Sequence, residues 1–122
     1  MIENHILTSN IILYCRRWRE SISFYGKSLE LPVLFETDWF VEFGLTSTSR
    51  LSIADERRSS IKSDAGKGVT VTLEVDDIKI VRDRLESLGV YVTDLIAHPW
   101  GAWVFHIFDP EGNRIEIWQP SS

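Results

Sequence analysis

The sequence predicts an α+β fold built from two tandem β-α-β-β-β modules, residues 8–56 and 68–120, joined by a linker at 57–67. Three observations predict it. Each half has one run of helical period, preceded by one strand-like run and followed by three. The segment between the halves is polar, contains glycine and shows no period. Apolar positions of the halves also correspond, Leu13 with Leu73 and Leu51 with Ile115.

The first module begins with the strand-like run NIILYC at 10–15, which is rich in β-branched and aromatic residues. Apolar residues at Trp18, Ile22, Tyr25 and Leu29 then follow at spacings of four, three and four, which predicts one helix over 18–29. Pro32 comes after this helix. VLFE, WFVEFGL and RLSIAD are predicted as the three remaining strands.

The second module repeats this order. VTVTLEV alternates as a strand, and DDIKIVRDRLESLG predicts a helix with acidic residues at its start and Gly89 as its stop. The runs VYVTD, WVFHIF and RIEIW are predicted as the last three strands. Asp109, Pro110 and Gly112 suit a tight turn between the final two, which therefore form a hairpin.

Composition excludes several classes of partner. The 122 residues carry a formal net charge of -5, which offers no basic face for a nucleic-acid backbone. No run approaches the length of a membrane span, and the N-terminus lacks the pattern of a secretory signal. Cys15 is the only cysteine, so we expect a buried structural thiol and a reducing, cytoplasmic setting.

Strand alternation selects the candidate ligand-binding residues. In the final strand Ile115 and Ile117 are expected against the helix, which places Glu116 on the opposite face, toward a cavity. Extending this parity to the other strands assigns His106 to the face away from Glu116. The predicted cavity residues combine aromatic walls with a few polar groups, as small-molecule pockets do: Asn10, Ile12, Tyr14, Phe40, Glu42, Ser52, Thr70, Thr72, Glu74, Trp103, Phe105, Glu116 and Trp118.

The segments DPEGNRIEIW, IILYCRRWRESISFY and LEVDD resemble the vicinal oxygen chelate superfamily, which includes glyoxalase I, bleomycin-resistance proteins and extradiol dioxygenases. The resemblance covers about 10–120 and implies that the modules form a cup-shaped mixed sheet with helices on the outer face. The metal-ligand positions of the family fall on Asn10, Thr70, Ser52 and Glu116. Only Glu116 is the expected ligand type, so the chain is nearest the metal-free, bleomycin-resistance-like members, and we expect no metal and no cofactor.

Three functions remain open at this stage. The preferred hypothesis is a metal-independent protein that sequesters a small aromatic or cationic compound, with a small organic molecule as partner and a homodimer as the assembly. The alternative is a glyoxalase- or dioxygenase-like enzyme in which Glu116 is the catalytic general base or the ligand of a divalent metal. The third is a protein whose cavity has closed and whose role is interaction.

Overall fold

The computed structural model describes residues 1–121, which divide into two compact units, 1–64 and 65 onward. Each unit is a four-stranded mixed sheet with one α-helix, in the order β-α-β-β-β. The predicted α+β class and the repeated module are therefore confirmed. Within the described part of the chain, no helix has the length and apolar character needed to span a membrane.

Unit 1 contains one sheet with the strand order β1-β4-β3-β2. Strand β1 pairs with β4 in parallel, and the β4-β3 and β3-β2 pairs are antiparallel. Short 3-10 turns lie at Ile2–Asn4 and Glu56–Arg58. The elements are β1 (Ser9–Cys15), α1 (Trp18–Ser23), β2 (Val33–Glu36), β3 (Phe40–Gly44) and β4 (Ser49–Asp55).

The helical segment of unit 1 differs from the predicted single α-helix. Helix α1 ends at Ser23 and continues as a π-helical turn, Phe24–Ser28. The wider turn is closed by the hydrogen bond from the Leu29 N–H to the Phe24 carbonyl, 2.9 Å long. It packs the buried Tyr25 ring 6.1 Å from the ring centre of Phe43. A periodicity of apolar residues near 3.6 does not distinguish one π-helical turn from an α-helical one.

The core of unit 1 lies between this helical segment and one face of the sheet. Strand alternation supplies the buried side chains on that face: Leu13, Cys15, Val41, Phe43, Leu51 and Ile53. The Trp18 indole N–H donates to the Ile53 carbonyl at 3.1 Å, which fixes the start of α1 against β4. The Cys15 thiol is completely buried, in agreement with the predicted structural role.

Unit 2 has the equivalent topology, with strand order β5-β8-β7-β6 and a parallel β5-β8 pair. Helix α2 begins with the Asp77 carboxylate accepting the Ile80 N–H at 3.2 Å, and Gly89 follows its end with φ of 82°. The Gln119 side chain accepts the Ile78 N–H at 2.7 Å and ties α2 to β8. The elements are β5 (Thr70–Glu74), α2 (Ile78–Ser87), β6 (Ile96–His98), β7 (Ala102–Phe108) and β8 (Arg114–Pro120).

The strand predicted for VYVTD is wrong, because residues 90–95 form a loop and β6 begins at Ile96. The loop does lie against β7. The Thr93 N–H donates to the His106 carbonyl at 3.1 Å, but the return bond from the His106 N–H goes to the Thr93 hydroxyl at 2.7 Å. A side chain thus replaces the backbone carbonyl that a strand ladder would use here.

The end of β4 contains a buried carboxylate whose titration affects stability. The Asp55 side chain, 6% exposed, accepts the Arg57 N–H at 3.0 Å and the Arg57 guanidinium at 2.9 Å. The side-chain hydrogen bond from Arg57 lowers the pKa of Asp55 below its ordinary value of 3.8, although burial acts in the opposite direction. The carboxylate therefore stabilises the folded state fully above pH 3.8, and this contribution is lost as pH falls through the lowered pKa.

We expect Asp55→Asn to lower the free energy of unfolding at about pH 7 and to lower it less at about pH 2.5, because below pH 3.8 the unfolded chain takes up a proton at this carboxyl and the advantage of the ionised form shrinks. Urea unfolding of both proteins at the two pH values measures this. An equal loss at both values would contradict the role assigned to the ionised Asp55.

Candidate functional site

The turn between β7 and β8 sets the position of Glu116. The Gly112 N–H donates to the Asp109 carbonyl at 2.9 Å, and the Asp109 N–H donates to the Asn113 carbonyl at 3.0 Å. The loop therefore spans 109–113, and Phe108 pairs with Arg114. This register places His106 directly opposite Glu116.

The register corrects the predicted cavity face on β7. Trp103 pairs with Gln119 and Phe105 with Ile117, so both aromatic residues lie on the helix-bearing face, away from Glu116. His106, assigned from sequence to the helix-bearing face, lies on the Glu116 face. The reason is the length of the turn: a four-residue loop would shift the pairing by one residue, and a shift of one exchanges the two faces of a strand.

We call the sheet face of each unit that does not carry the helix the second face. On the second face of unit 2, Glu116 is held from two sides. The Thr72 hydroxyl donates to its Oε1 at 3.0 Å, and the His106 Nε2 lies 3.4 Å from its Oε2. The His106 and Glu116 side chains are 25% and 29% exposed, so both remain accessible to a bound molecule. A carboxylate beside an imidazole can accept a proton or bind a cation.

Unit 1 has the corresponding row of side chains in its own sheet. Ser52 pairs with both Ile12 and Glu42, as Glu116 pairs with Thr72 and His106. In unit 1 the polar side chains of this row bond to one another. The Ser52 hydroxyl donates to the Asn10 amide oxygen at 2.8 Å, and Arg50 forms an ion pair with Glu42 at 2.9 Å.

The other predicted residues follow strand parity on the second face of their own unit. In unit 1, Tyr14 and Phe40 both pair with Ala54. In unit 2, Glu74 pairs with Trp118. Thr70 pairs with Arg114 and accepts a hydrogen bond from its guanidinium at 3.1 Å.

A pocket of about 420 Å³ opens on the second face of unit 2, beside His106. Sequence reasoning identified none of its lining residues as ligand-binding. Strand parity would have found His106 if the turn length had been predicted correctly. The lining residues come from β6, β7 and the loop before β6: Tyr91, Val92, Thr93, Asp94, Ile96, His98, Val104 and His106.

Trp103 lines a different and smaller pocket, of about 210 Å³. It is formed with the start of α2, including Asp76, Asp77 and Ile78, and so lies on the helix-bearing side of the sheet. Trp103 therefore lies away from the Glu116 face, contrary to the parity assignment.

Neither unit by itself, over the described residues, brings together the donors of a catalytic metal centre. Over residues 1–121, no three side chains of histidine, cysteine, aspartate or glutamate are grouped so that they could hold a metal ion. A divalent ion of the catalytic type takes three protein donors, commonly two imidazoles and a carboxylate. In unit 2 the pair His106 and Glu116 supplies two donors, and its neighbour Thr72 offers a neutral hydroxyl.

The sequence model of the Glyoxalase/Bleomycin resistance protein/Dioxygenase superfamily matches residues 4–117 of the chain. The chain belongs to this superfamily. The resemblance inferred from the DPEGNRIEIW segment is thereby confirmed. Among curated proteins, the uncharacterized protein YraH of Bacillus subtilis (strain 168) is 28% identical, with 89% of this chain and 94% of YraH covered.

Solved structures of other proteins share the fold. A lactoylglutathione lyase from Agrobacterium tumefaciens has a TM-score of 0.76 at 23% identity, with 91% of each chain covered. TnmS3, an antibiotic binding protein from Streptomyces sp. CB03234, has a TM-score of 0.77 at 21% identity, with 93% of this chain and 95% of TnmS3 covered. The same fold thus occurs in an enzyme and in a binding protein.

Proposed function

We propose that this member of the superfamily is a metal-independent binding protein that sequesters a small aromatic or cationic compound. The observation that carries the proposal is the pocket of about 420 Å³ on the Glu116 face of unit 2. Its volume lies in the range of small-molecule sites, and its lining joins apolar and ring-bearing side chains to a carboxylate without lysine or arginine.

Metal independence is supported by the hydrogen bonds that the polar side chains at these positions already make. Glu116 is engaged by Thr72 and His106, Asn10 by Ser52, and Thr70 by Arg114. Of the four positions that correspond to metal ligands in the family, three carry neutral side chains. An amide or hydroxyl oxygen is a weak ligand for the divalent ions that superfamily enzymes use.

Sequestration is also supported by the likeness to TnmS3, which is described as an antibiotic binding protein. The likeness supports only the shared fold, whereas the ligand class is inferred from the residues that line the unit 2 pocket. A ligand stacked on the rings of Tyr91 or His98 would gain apolar contact there, and the Asp94 carboxylate favours a positive charge.

The test is a fluorescence titration with N-methylacridinium, a planar aromatic cation, followed by recovery of the compound. We expect saturable binding at one equivalent per chain, and mass spectrometry should return the compound unchanged after prolonged incubation with the protein. Absence of saturable binding would contradict the proposed function, and recovery of a chemically altered compound would favour an enzyme.

The second candidate is a metal-free lyase or isomerase in which Glu116 is the general base. The contact between Glu116 Oε2 and His106 Nε2 favours it, because a paired imidazole can orient the carboxylate and share a proton. Glu116→Gln separates the two functions. A binding protein should retain affinity for a neutral aromatic ligand in this variant, whereas an enzyme should keep binding and lose turnover by about a hundredfold or more.

A further inference from the structure

One wall of the unit 2 pocket is the loop 91–94, which is fixed before any ligand arrives. Thr93 exchanges two hydrogen bonds with His106, at 3.1 and 2.7 Å. The Arg82 guanidinium donates to the Thr93 carbonyl at 3.0 Å, which holds the loop to α2 as well. A wall anchored to a strand and a helix forms a preorganised site, so little ordering entropy opposes binding.

The side chains that line the pocket favour a ligand of positive charge. Among the eight lining residues, Asp94 is the one acidic side chain, and none is lysine or arginine. Asp94 is exposed, as are Tyr91, at 73%, and Ile96, at 52%. An exposed ring and an exposed aliphatic side chain beside a carboxylate suit a flat organic cation rather than an anion.

We propose that the unit 2 pocket binds the aromatic body of an organic cation against Ile96 and Tyr91, with Asp94 as the counter-ion that sets the preference for positive charge. This inference rests on the proposed function and names both its ligand class and its specificity-determining residue. The volume of about 420 Å³ suits a compound with about 15 to 25 non-hydrogen atoms.

The experiment compares N-methylacridinium with its neutral parent acridine at about pH 8, where the two differ chiefly by one positive charge. Isothermal titration is carried out on the wild type and on three variants: Asp94→Asn, Ile96→Trp and Asp83→Asn. Asp83 is exposed on α2 and does not line the pocket, so its variant has the same net charge as Asp94→Asn and serves as the matched control.

We expect Asp94→Asn to weaken N-methylacridinium binding about fivefold and acridine binding less than twofold, because one partly exposed ion pair is lost. Ile96→Trp should fill the pocket and weaken both compounds at least tenfold. Asp83→Asn should leave both affinities within about twofold of the wild type.

Two results would overturn the inference. If Asp94→Asn and Asp83→Asn weaken the cation equally, Asp94 is not its counter-ion. If Ile96→Trp leaves both affinities unchanged, the compounds bind elsewhere, and the proposed binding function stands while the pocket assignment fails. Failure of the wild type to bind either compound would contradict the proposed function together with the inference.

Discussion

Replacement of Gly66 with alanine is expected to lower the free energy of unfolding by about 3 kcal/mol or more. Gly66 has φ of +80°, and a Cβ built on it would lie 2.3 Å from the carbonyl oxygen of Gly112. The 109–113 turn cannot withdraw without disturbing its own hydrogen bonds, from the Gly112 N–H to the Asp109 carbonyl and from the Asp109 N–H to the Asn113 carbonyl. The substitution therefore strains the turn that sets the register of Glu116.

Gly68 provides the matched control for this prediction. It has nearly the same φ, +78°, but nothing lies within 4 Å of a Cβ built there. Gly68→Ala should cost about 1 kcal/mol, the strain of a left-handed alanine alone. Urea unfolding of the two variants measures the difference, and equal losses would show that the close approach of Gly66 to Gly112 contributes nothing.

Replacement of Asp109 with alanine should lower the free energy of unfolding by about 3 kcal/mol. The Asp109 carboxylate is 5% exposed and accepts three hydrogen bonds, from the N–H groups of Glu111 and Asn113 at 2.9 Å and from the Asn113 side-chain amide at 2.8 Å. Alanine leaves these donors without their acceptor inside a buried turn, and buried unsatisfied donors are costly.

Asp109→Asn is a milder change in the same turn. The asparagine keeps one side-chain oxygen for the two backbone donors, but its own NH2 group then faces the NH2 group of Asn113. We expect roughly half the loss of the alanine variant. Asp83→Ala, on the exposed face of α2, should change stability by less than about 0.5 kcal/mol. Thermal or urea unfolding measures all three, and a loss below about 1 kcal/mol for Asp109→Ala would contradict the structural role of this carboxylate.

Local chemistry in the sequence was sufficient to predict much of this fold. Asp109, Pro110 and Gly112 predicted a turn between the last two strands, and the turn is present, with the Asp109 carboxylate accepting the Glu111 N–H. The correspondence of Leu51 and Ile53 with Ile115 and Ile117 reflects equivalent pairing: Leu13 pairs with Ile53, and Leu73 with Ile117. Apolar alternation recovers these strands because one face of each is buried.

The candidate site depended on features that local pattern does not encode. The turn contains one residue more than the four-residue motif suggests, because Asn113 is bonded to the Asp109 side chain. That residue moves His106 onto the Glu116 face and places Trp103 and Phe105 on the other. The pocket wall at 91–94 could not be predicted either, because the Thr93 hydroxyl accepts the His106 N–H in place of a backbone carbonyl, and apolar alternation carries no signal for such a contact.

Binding of the ligand without a metal is tested by titrating the metal-free and the metal-loaded protein. N-methylacridinium is titrated into protein that has been treated with EDTA and dialysed, and again after addition of zinc, nickel or manganese. We expect no stoichiometric metal in the purified protein and the same dissociation constant, within about twofold, in every titration. A copurified metal whose removal weakens binding by tenfold or more would contradict metal-independent binding.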